Sequence, residues 1–383
     1  MRGRRRGAVV LRGLALGAAL LAAAVASAED GQGARRPGAD EWAALVAGLG
    51  RWVDAHADRA HGGFGAGPRL PHPQLLLALL ERREILDDAR RRAHLGRTLD
   101  AILAALDDPV DGGFFRAAAA RDWRAPDTAK PLATNVALAR VFQRAAKVFG
   151  EPRYAKAVDR TVAWILRRLY DPLEGGFHDA QRADPAYYRL PPGERRAARK
   201  PELSVDKPTA ANGEAIVTFL ALGRAAGRRD LLRAARLSLE FAQRHLLGPR
   251  GVFDVYRVAA IRAEGRGGLD ANAWMARAFL EAHTIYRRQS SRDLAEAILD
   301  HVLAERLGAR PAPGDAGLVA EALLAAARLP GGRRAYRDAA ERVLADAGGR
   351  LRDLLVDGRG DSPGAVADAA PALGAWRRLR GDR

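Results

Sequence analysis

The sequence of 383 residues contains no cysteine. This absence excludes disulfides, thiolate metal sites, a cysteine nucleophile, a CxxC redox pair and the acylated cysteine of a lipoprotein. The HExxH metal motif and zinc-finger spacings are also missing, so the sequence predicts no metal and no other cofactor. Calcium held by loop carboxylates is the alternative that spacing leaves open. Hydrophobic residues form 48% of the chain, which is typical of a globular protein rather than a disordered one.

Residues 1–28 have the pattern of a secretory signal peptide. Five arginines lie in residues 1–12, an uncharged apolar run follows, and Ala26-Ser27-Ala28 is a small-x-small cleavage site. Because the apolar run is shorter than the ~20 residues that span a bilayer, we expect cleavage near Ala28 rather than a retained anchor. Residues 29–383 then form one periplasmic or secreted domain without stable membrane insertion. Paired arginines leave the general and twin-arginine export routes open.

Basic residues outnumber acidic ones by 63 to 46, and removing the five leader arginines leaves a net charge of +12. Such a charge favours anionic partners through its field alone. The arginines are nevertheless scattered over most of the predicted helices and mixed with acidic residues, without a basic stripe or interleaved aromatics. The pattern indicates solvated helix faces and predicts no nucleic-acid partner.

Apolar residues recur at three- and four-residue spacing, and convincing period-two runs are hard to find, so the chain is predicted to be all-α. Short connections that join antiparallel neighbours alternate with long ones, which indicates helical hairpins. Six such pairs predict a closed (α/α)6 toroid with first helices inside and second helices outside. The predicted helices cover residues 40–56, 73–82, 87–106, 134–149, 152–169, 211–226, 229–247, 271–288, 291–307, 315–328, 334–347 and 364–379.

Two internal repeats support this count. Similar eight-residue segments begin at Asn135, Asn212 and Asn272, where three inner helices are predicted to start. Asp108-Pro-Val-Asp-Gly-Gly-Phe114 resembles Asp171-Pro-Leu-Glu-Gly-Gly-Phe177 in the long connections. Repeats of this kind bury their apolar stripes only by stacking on one another, so the hairpins are expected to form one ring. If the hairpins all point the same way, the long connections and the N-termini of the inner helices lie at the same end of the ring. We expect any functional site at this end, called the mouth below.

The Gly-Gly-Phe segments resemble the helical domain of the YyaL-like and spermatogenesis-associated, thioredoxin-bearing family. The resemblance covers roughly residues 40–310 and implies a six-hairpin toroid similar to glycosidases and sugar epimerases. Without cysteine, no redox role is carried over. The family's Pro-His-Phe-Glu-Lys-Met-Leu motif corresponds to Pro126-Asp-Thr-Ala-Lys-Pro-Leu132, in which Asp127 and Ala129 replace the His and Glu while Lys130 remains.

Four residues are predicted to carry acid/base chemistry at the mouth. A glycosidase needs two carboxylates, and Asp206 and Asp270 both lie close to predicted inner helices. Lys207 adjoins Asp206 and is expected to pair with it or to bind an anionic group. His178, which follows a Gly-Gly-Phe segment, is suited to remove a proton beside a carbonyl, as an epimerase requires. For each of these residues a purely structural role is the alternative.

Further mouth residues are predicted to contact the ligand. Asparagines cap helices or bond hydroxyls, arginines clamp anionic groups, and flat aromatic rings stack on sugars or plug helix ends. These candidates are Arg69, Arg116, Trp123, Lys130, Asn135, Asp179, Asn212, Asn272 and Trp274. Asp315 is predicted to cap an inner helix or also to line the mouth and bond ligand hydroxyls, and Glu214 is one of several further carboxylates at the mouth. The segment 184–200 is expected to be a flap or a disordered excursion.

These expectations converge on a small-molecule or oligosaccharide ligand bound at the mouth. They predict carbohydrate processing by acid/base catalysis, as a glycoside hydrolase or a sugar epimerase. The alternative is a non-catalytic binding or scaffold protein that kept the toroid and lost the family's His and Glu.

Overall fold

The computed structural model describes residues 38–307, 311–360 and 362–381, and the predicted signal peptide lies outside these ranges. Long helices dominate this part of the chain. Their bounds are α1 Ala39–His56, α2 Pro73–Leu80, α3 Arg83–Leu86, α4 Ala89–Leu106, α5 Leu132–Phe149, α6 Pro152–Arg168, α7 Pro185–Arg189, α8 Pro192–Ala197, α9 Thr209–Ala226, α10 Arg229–His245, α11 Leu269–Tyr286, α12 Gln289–His301, α13 Pro313–Ala327, α14 Arg334–Leu355 and α15 Pro363–Arg380. A π-helical turn, Val302–Arg306, extends α12.

Six helices form a closed inner ring. Each packs on the next in the order α2, α5, α9, α11, α13 and α15, and α15 returns to pack on α2. The other long helices surround this ring, and each inner helix is paired with an outer one. The sixth pair joins the two ends of the chain, since Trp42 of α1 lies 6.4 Å from Trp376 of α15 between ring centroids. The predicted all-α (α/α)6 toroid is confirmed.

The sequence differs between the two layers because their burial differs. The inner helix α9 contacts helices on both sides, and thirteen of its 18 residues are buried. The outer helix α6 buries one face, which includes Tyr154 and Trp164, and exposes Arg153 and Asp159 on the other. An apolar stripe with a charged opposite face is typical of a surface helix. Within the described ranges we find no helix long and apolar enough to cross a bilayer.

The long connections contain ten short strands that form small antiparallel sheets at the mouth. Two sheets have two strands each, and two have three. The strands are β1 Ala117–Ala118, β2 Pro126–Asp127, β3 Lys130–Pro131, β4 Ala180–Gln181, β5 Leu203–Ser204, β6 Lys207–Pro208, β7 Leu247–Gly248, β8 Gly251–Val252, β9 Val255–Arg257 and β10 Arg262–Glu264. The sequence did not reveal them, because strands of two or three residues are too short to show a period.

A recurring cluster of hydrogen bonds, called the lock below, holds a long connection to the start of an inner helix. Lys130 Nζ donates to Asp108 Oδ2 at 2.6 Å and to the carbonyl of Gly112 at 2.7 Å, and its side chain is fully buried. Asn135 Oδ1 accepts from the amide of Phe114 at 2.6 Å, and Asn135 Nδ2 donates back to the Phe114 carbonyl. Gly112 has φ +87°, a conformation that L side chains rarely adopt, which explains the glycine in the motif.

The lock occurs again one hairpin later. Lys207 Nζ donates to Asp171 Oδ2 and to the Gly175 carbonyl, both at 2.8 Å. Asn212 Oδ1 accepts from the amide of Phe177, and Asn212 Nδ2 donates to the carbonyl of the same residue. The repeated Asp-x3-Gly-Gly-Phe and Lys-Pro-x3-Asn patterns are therefore two halves of one structural unit.

The segment 184–200 is ordered, which contradicts the prediction of a flap or a disordered excursion. It forms α7 and α8, and Arg195 from α8 is buried. Arg195 Nη2 donates to Asp108 at 2.6 Å and to Asp111 at 2.8 Å, while Lys200 Nζ donates to Asp111 at 2.9 Å. The basic residues that suggested disorder instead pair with acidic residues of an earlier connection.

Candidate active site

A cavity of about 710 Å³ opens at the mouth, where the N-terminal ends of the six inner helices meet. Every inner helix contributes to its wall. The contributions include Gln74 of α2, Ala133 of α5, Glu214 of α9, Asp270 of α11, Asp315 of α13 and Asp368 of α15. The prediction that the mouth holds a pocket thus agrees with the structure, and four of these six residues are acidic.

Asp270 and Asp315 lie on adjacent inner helices close to the opening. Asp270 is the second residue of α11 and Asp315 the third residue of α13. Asp315 is half-buried, and this burial raises the pKa of its carboxyl above the usual value. The neighbouring charge of Asp270 is a second, smaller cause of the same rise. Within the described ranges Asp315 accepts no hydrogen bond and forms no ion pair, so no cation opposes this rise. Two close carboxylates, one of them inclined to hold a proton, can serve as an acid/base pair.

Glu214 and Asp368 lie deeper and on opposite sides of the ring. Each is the sixth residue of its helix, so a rise of 1.5 Å per residue places both about 5 Å below Asp270 and Asp315. Glu214 is buried, and its Oε1 accepts from Arg140 Nη1 at 2.7 Å. Asp368 is exposed to the opening. The cavity therefore has carboxylates at two depths.

A network of charged side chains surrounds Trp274, which is one residue of the cavity wall. The guanidinium carbons of Arg140 and Arg277 lie 5.1 and 4.8 Å from the Trp274 ring centroid. Arg277 Nη1 donates to Glu321 Oε2 at 2.6 Å. Burial acts to raise the pKa of Glu321, but Arg378 and Arg277 outweigh it and lower the pKa. A second cavity of about 50 Å³ lies beside these groups and shares Trp274 with the larger one.

We predict that the change Asp270→Asn lowers the pKa of Asp315, because it removes the negative charge that disfavours ionisation of the Asp315 carboxyl. Carboxyl ¹³C shifts followed by NMR as a function of pH measure this change without any substrate. Asp159→Asn, on an exposed face of α6, is the matched control and should leave the titration of Asp315 unchanged. An unaltered pKa in Asp270→Asn would contradict the coupling of the two groups.

Among the residues predicted from sequence to lie at the mouth, four line this cavity: Glu214, Asp270, Trp274 and Asp315. The predicted pairing of Asp206 with Lys207 is wrong, because each has another partner. Asp206 Oδ2 accepts from Arg257 Nη1 at 2.8 Å, and this hydrogen bond lowers the pKa of Asp206. Lys207 is fully buried in the lock with Asp171. Their catalytic roles are untested predictions that this geometry does not support.

The asparagines also differ from the prediction of helix caps. Asn135, Asn212 and Asn272 are each the fourth residue of an inner helix, and their side chains bond to backbone of the long connections instead. Lys130 is enclosed in the first lock. Arg69 is buried and pairs with Asp58 in a similar arrangement. All five side chains have their polar atoms directed to protein groups, which leaves them no part in the wall of the cavity.

The remaining candidates lie in the connections outside the cavity wall. His178 Nδ1 lies 2.7 Å from the carbonyl of Val205. Arg116 forms an ion pair with Asp127, and Asp179 Oδ2 accepts from Ser204 Oγ at 3.2 Å. Trp123 is buried, and its Nε1 donates to the carbonyl of His61 at 3.0 Å.

Sequence reasoning missed Asp368 entirely and predicted Asp315 as a helix cap or a mouth residue that bonds ligand hydroxyls, without an acid/base role. Both residues belong to the last two inner helices, where the Asn and Gly-Gly-Phe repeats are absent and no motif marks the chain. The usable signal was positional, since each is an acidic residue in the first two turns of a predicted inner helix. No group of residues that could hold a metal ion is found within the described ranges.

The ring and its mouth cavity define a six-hairpin (α/α)6 toroid. Solved structures with this fold include a GH76 α-mannanase from Bacteroides thetaiotaomicron, at a TM-score of 0.67 and 14% identity over 89% of this chain and 97% of that one. A cellobiose 2-epimerase from Spirochaeta thermophila matches with a TM-score of 0.64 and 15% identity, over 89% and 96% of the two chains. An unsaturated glucuronyl hydrolase specific for heparin has a TM-score of 0.59 and 12% identity, over 89% and 97%.

No protein-family model matches the chain, and neither does any curated protein. At identities this low, the solved structures show the fold alone. They support the six-hairpin architecture that the resemblance implied, while membership of the thioredoxin-bearing family stays a prediction.

Proposed function

We propose that this protein is a glycoside hydrolase that binds a carbohydrate in the mouth cavity. The observation that carries the proposal is the pair formed by Asp270 and Asp315, in which burial and repulsion raise the pKa of Asp315. Glycoside hydrolysis requires two carboxyl groups at the scissile bond, one protonated and one ionised. The structures that share the fold include two hydrolases and an epimerase, which adds support by analogy only.

In this mechanism Asp315 is the general acid and donates its proton to the glycosidic oxygen as the bond from the anomeric carbon to that oxygen breaks. Ionised Asp270 either attacks the anomeric carbon or takes a proton from the attacking water, and the separation of the carboxyl groups decides between these routes. On the first route, water then supplies the hydroxyl of the new reducing end and returns its proton to Asp315. On the second route, the proton of the water passes to Asp270, and both carboxyl groups recover their starting states by proton exchange with solvent. Glu214 and Asp368 accept hydrogen bonds from sugar hydroxyls deeper in the cavity.

Hydrolysis fits the cavity better than epimerisation. An epimerase needs a base for a proton beside a carbonyl, and histidine is suited to this near neutral pH. No histidine belongs to the cavity wall within the described ranges. His72 precedes α2 close to the charge of Asp368, but burial lowers its pKa. We also propose, from the signal-like residues 1–28, that the enzyme acts in the periplasm or outside the cell.

The proposal is tested by incubating residues 29–383 with a panel of α- and β-linked oligosaccharides and measuring new reducing ends. Wild type and the control Asp159→Asn are expected to release product, and the double variant Asp270→Asn/Asp315→Asn is not. Thermal shift of all three proteins reports binding separately, with about 2.7 kcal/mol of stabilisation for a ligand at a hundred times its dissociation constant. Wild-type binding without product would instead establish a non-catalytic binding protein.

A further inference from the structure

The charge of the mouth cavity is opposite to that of the protein. The full chain has a formal net charge of +17, yet the described cavity wall contains five acidic residues and one basic residue. These are Glu214, Asp270, Asp315, Asp353 and Asp368, with Arg350 as the single cation. A low-dielectric cleft lined by charges of one sign concentrates their electric field. The electrostatic potential inside the cavity is therefore expected to be negative, although the protein as a whole is positively charged.

Arg350 donates to the backbone carbonyl of Pro311, which occupies one of its donors and leaves its positive charge in place. Two of the acids are compensated, since Glu214 pairs with Arg140 and Asp353 with Arg359. Asp270, Asp315 and Asp368 form no ion pair within the described part of the chain. The cavity therefore has an excess of carboxylate that the protein does not balance.

Glu214 supplies a second and independent observation. The residue is only 5% exposed, and Oε1 is taken by Arg140. Its Oε2 has no hydrogen-bond partner among the described residues, although Glu214 lines the cavity. A carboxylate oxygen is a hydrogen-bond acceptor, and Glu214 lies in the cavity wall, so a molecule in the cavity can donate to this oxygen.

We infer that the substrate is a glycan without acidic groups, a neutral or amino-sugar oligosaccharide whose hydroxyl or ammonium donors meet Glu214 and Asp368. This inference rests on the proposed function and narrows its substrate class. Hydroxyl and ammonium groups supply the donors that the carboxylates lack. A uronate carboxylate or a sulfate supplies only acceptors, and it brings a like charge into a site whose carboxylates outnumber its one described cation.

The test compares matched pairs of oligosaccharides that differ only in oxidation at C6, such as galacto- and galacturono-oligosaccharides of equal length and linkage, together with chitosan oligomers. Dissociation constants come from thermal-shift titration at low salt, which reports substrate and product binding alike. We expect each uronate to bind at least about tenfold more weakly than its neutral partner. Asp368→Asn should narrow this difference, and the matched control Asp159→Asn should preserve it.

The outcomes separate the two proposals. Equal or tighter binding of the uronates would overturn the inference while leaving glycan binding intact. Selective binding of neutral or amino sugars without hydrolysis would uphold the inference and refute the catalytic proposal. If no glycan in the panel binds, both proposals fail together.

Discussion

Asp315→Asn is expected to lower kcat by a factor of about 10²–10⁴ on natural glycosides, the range that a general acid contributes. Asparagine keeps the shape of the side chain but has no proton to donate to the departing oxygen. The loss should be much smaller on aryl glycosides with a nitrophenolate leaving group, which departs without protonation. The measurement is kcat on an oligosaccharide and on the matching nitrophenyl glycoside.

Asp270→Asn provides the comparison for this prediction. If Asp270 is the ionised partner, its loss impairs attack on the anomeric carbon and slows both kinds of substrate. If the loss of kcat depends on the leaving group in Asp315→Asn and not in Asp270→Asn, then Asp315 is the acid and Asp270 is the ionised partner. If Asp315→Asn lowers kcat by the same factor on both substrates, the assignment of Asp315 as the acid is contradicted.

Glu321→Leu is expected to destabilise the fold by about 3–5 kcal/mol, because it leaves a charge buried without its partner. Glu321 is 8% exposed and pairs with Arg277, whose side chain is 10% exposed. The other partner, Arg378, is 31% exposed and can remain solvated. The free energy of unfolding from urea denaturation measures the effect.

The double variant Arg277→Met/Glu321→Leu is the control for this second prediction. Replacing both members of a buried pair by apolar side chains of similar volume is often neutral or stabilising. We therefore expect it to recover most of the stability lost in Glu321→Leu. If the double variant is as unstable as the single one, the loss is due to packing rather than to the uncompensated charge of Arg277.

Helix periodicity was enough to predict the ring, because twelve long helices with alternating short and long connections fit few other arrangements. The ends of the inner helices were less predictable. Asn135 and its equivalents are typical helix caps in isolation, yet their partners lie in connections about twenty residues or more away. Local preference cannot reveal such long-range hydrogen bonds, and so the three inner helices that contain these asparagines begin two residues earlier than predicted.

The site was harder to predict than the fold for a related reason. The conspicuous motif residues, among them Lys130 and Lys207, hold the connections in place and are fully buried. The cavity wall instead draws two of its acids, Asp315 and Asp368, from helices without motifs. The repeated residues of this sequence are those that hold a connection in place. The residues proposed for catalysis occur only once, so they form no repeat that sequence analysis could detect.

The pairing of α1 with α15 gives this protein a particular order of assembly during translation. The first long helix to leave the ribosome packs beside the last one, and Trp52 Nε1 reaches the carbonyl of Gly360 across nearly the whole chain. Until α15 emerges, α2 and α13 lack the neighbour that covers their flanks, and the cavity lacks the wall that carries Asp368. A nascent chain therefore holds no finished cavity, and a molecule bound there would stabilise only the completed polypeptide.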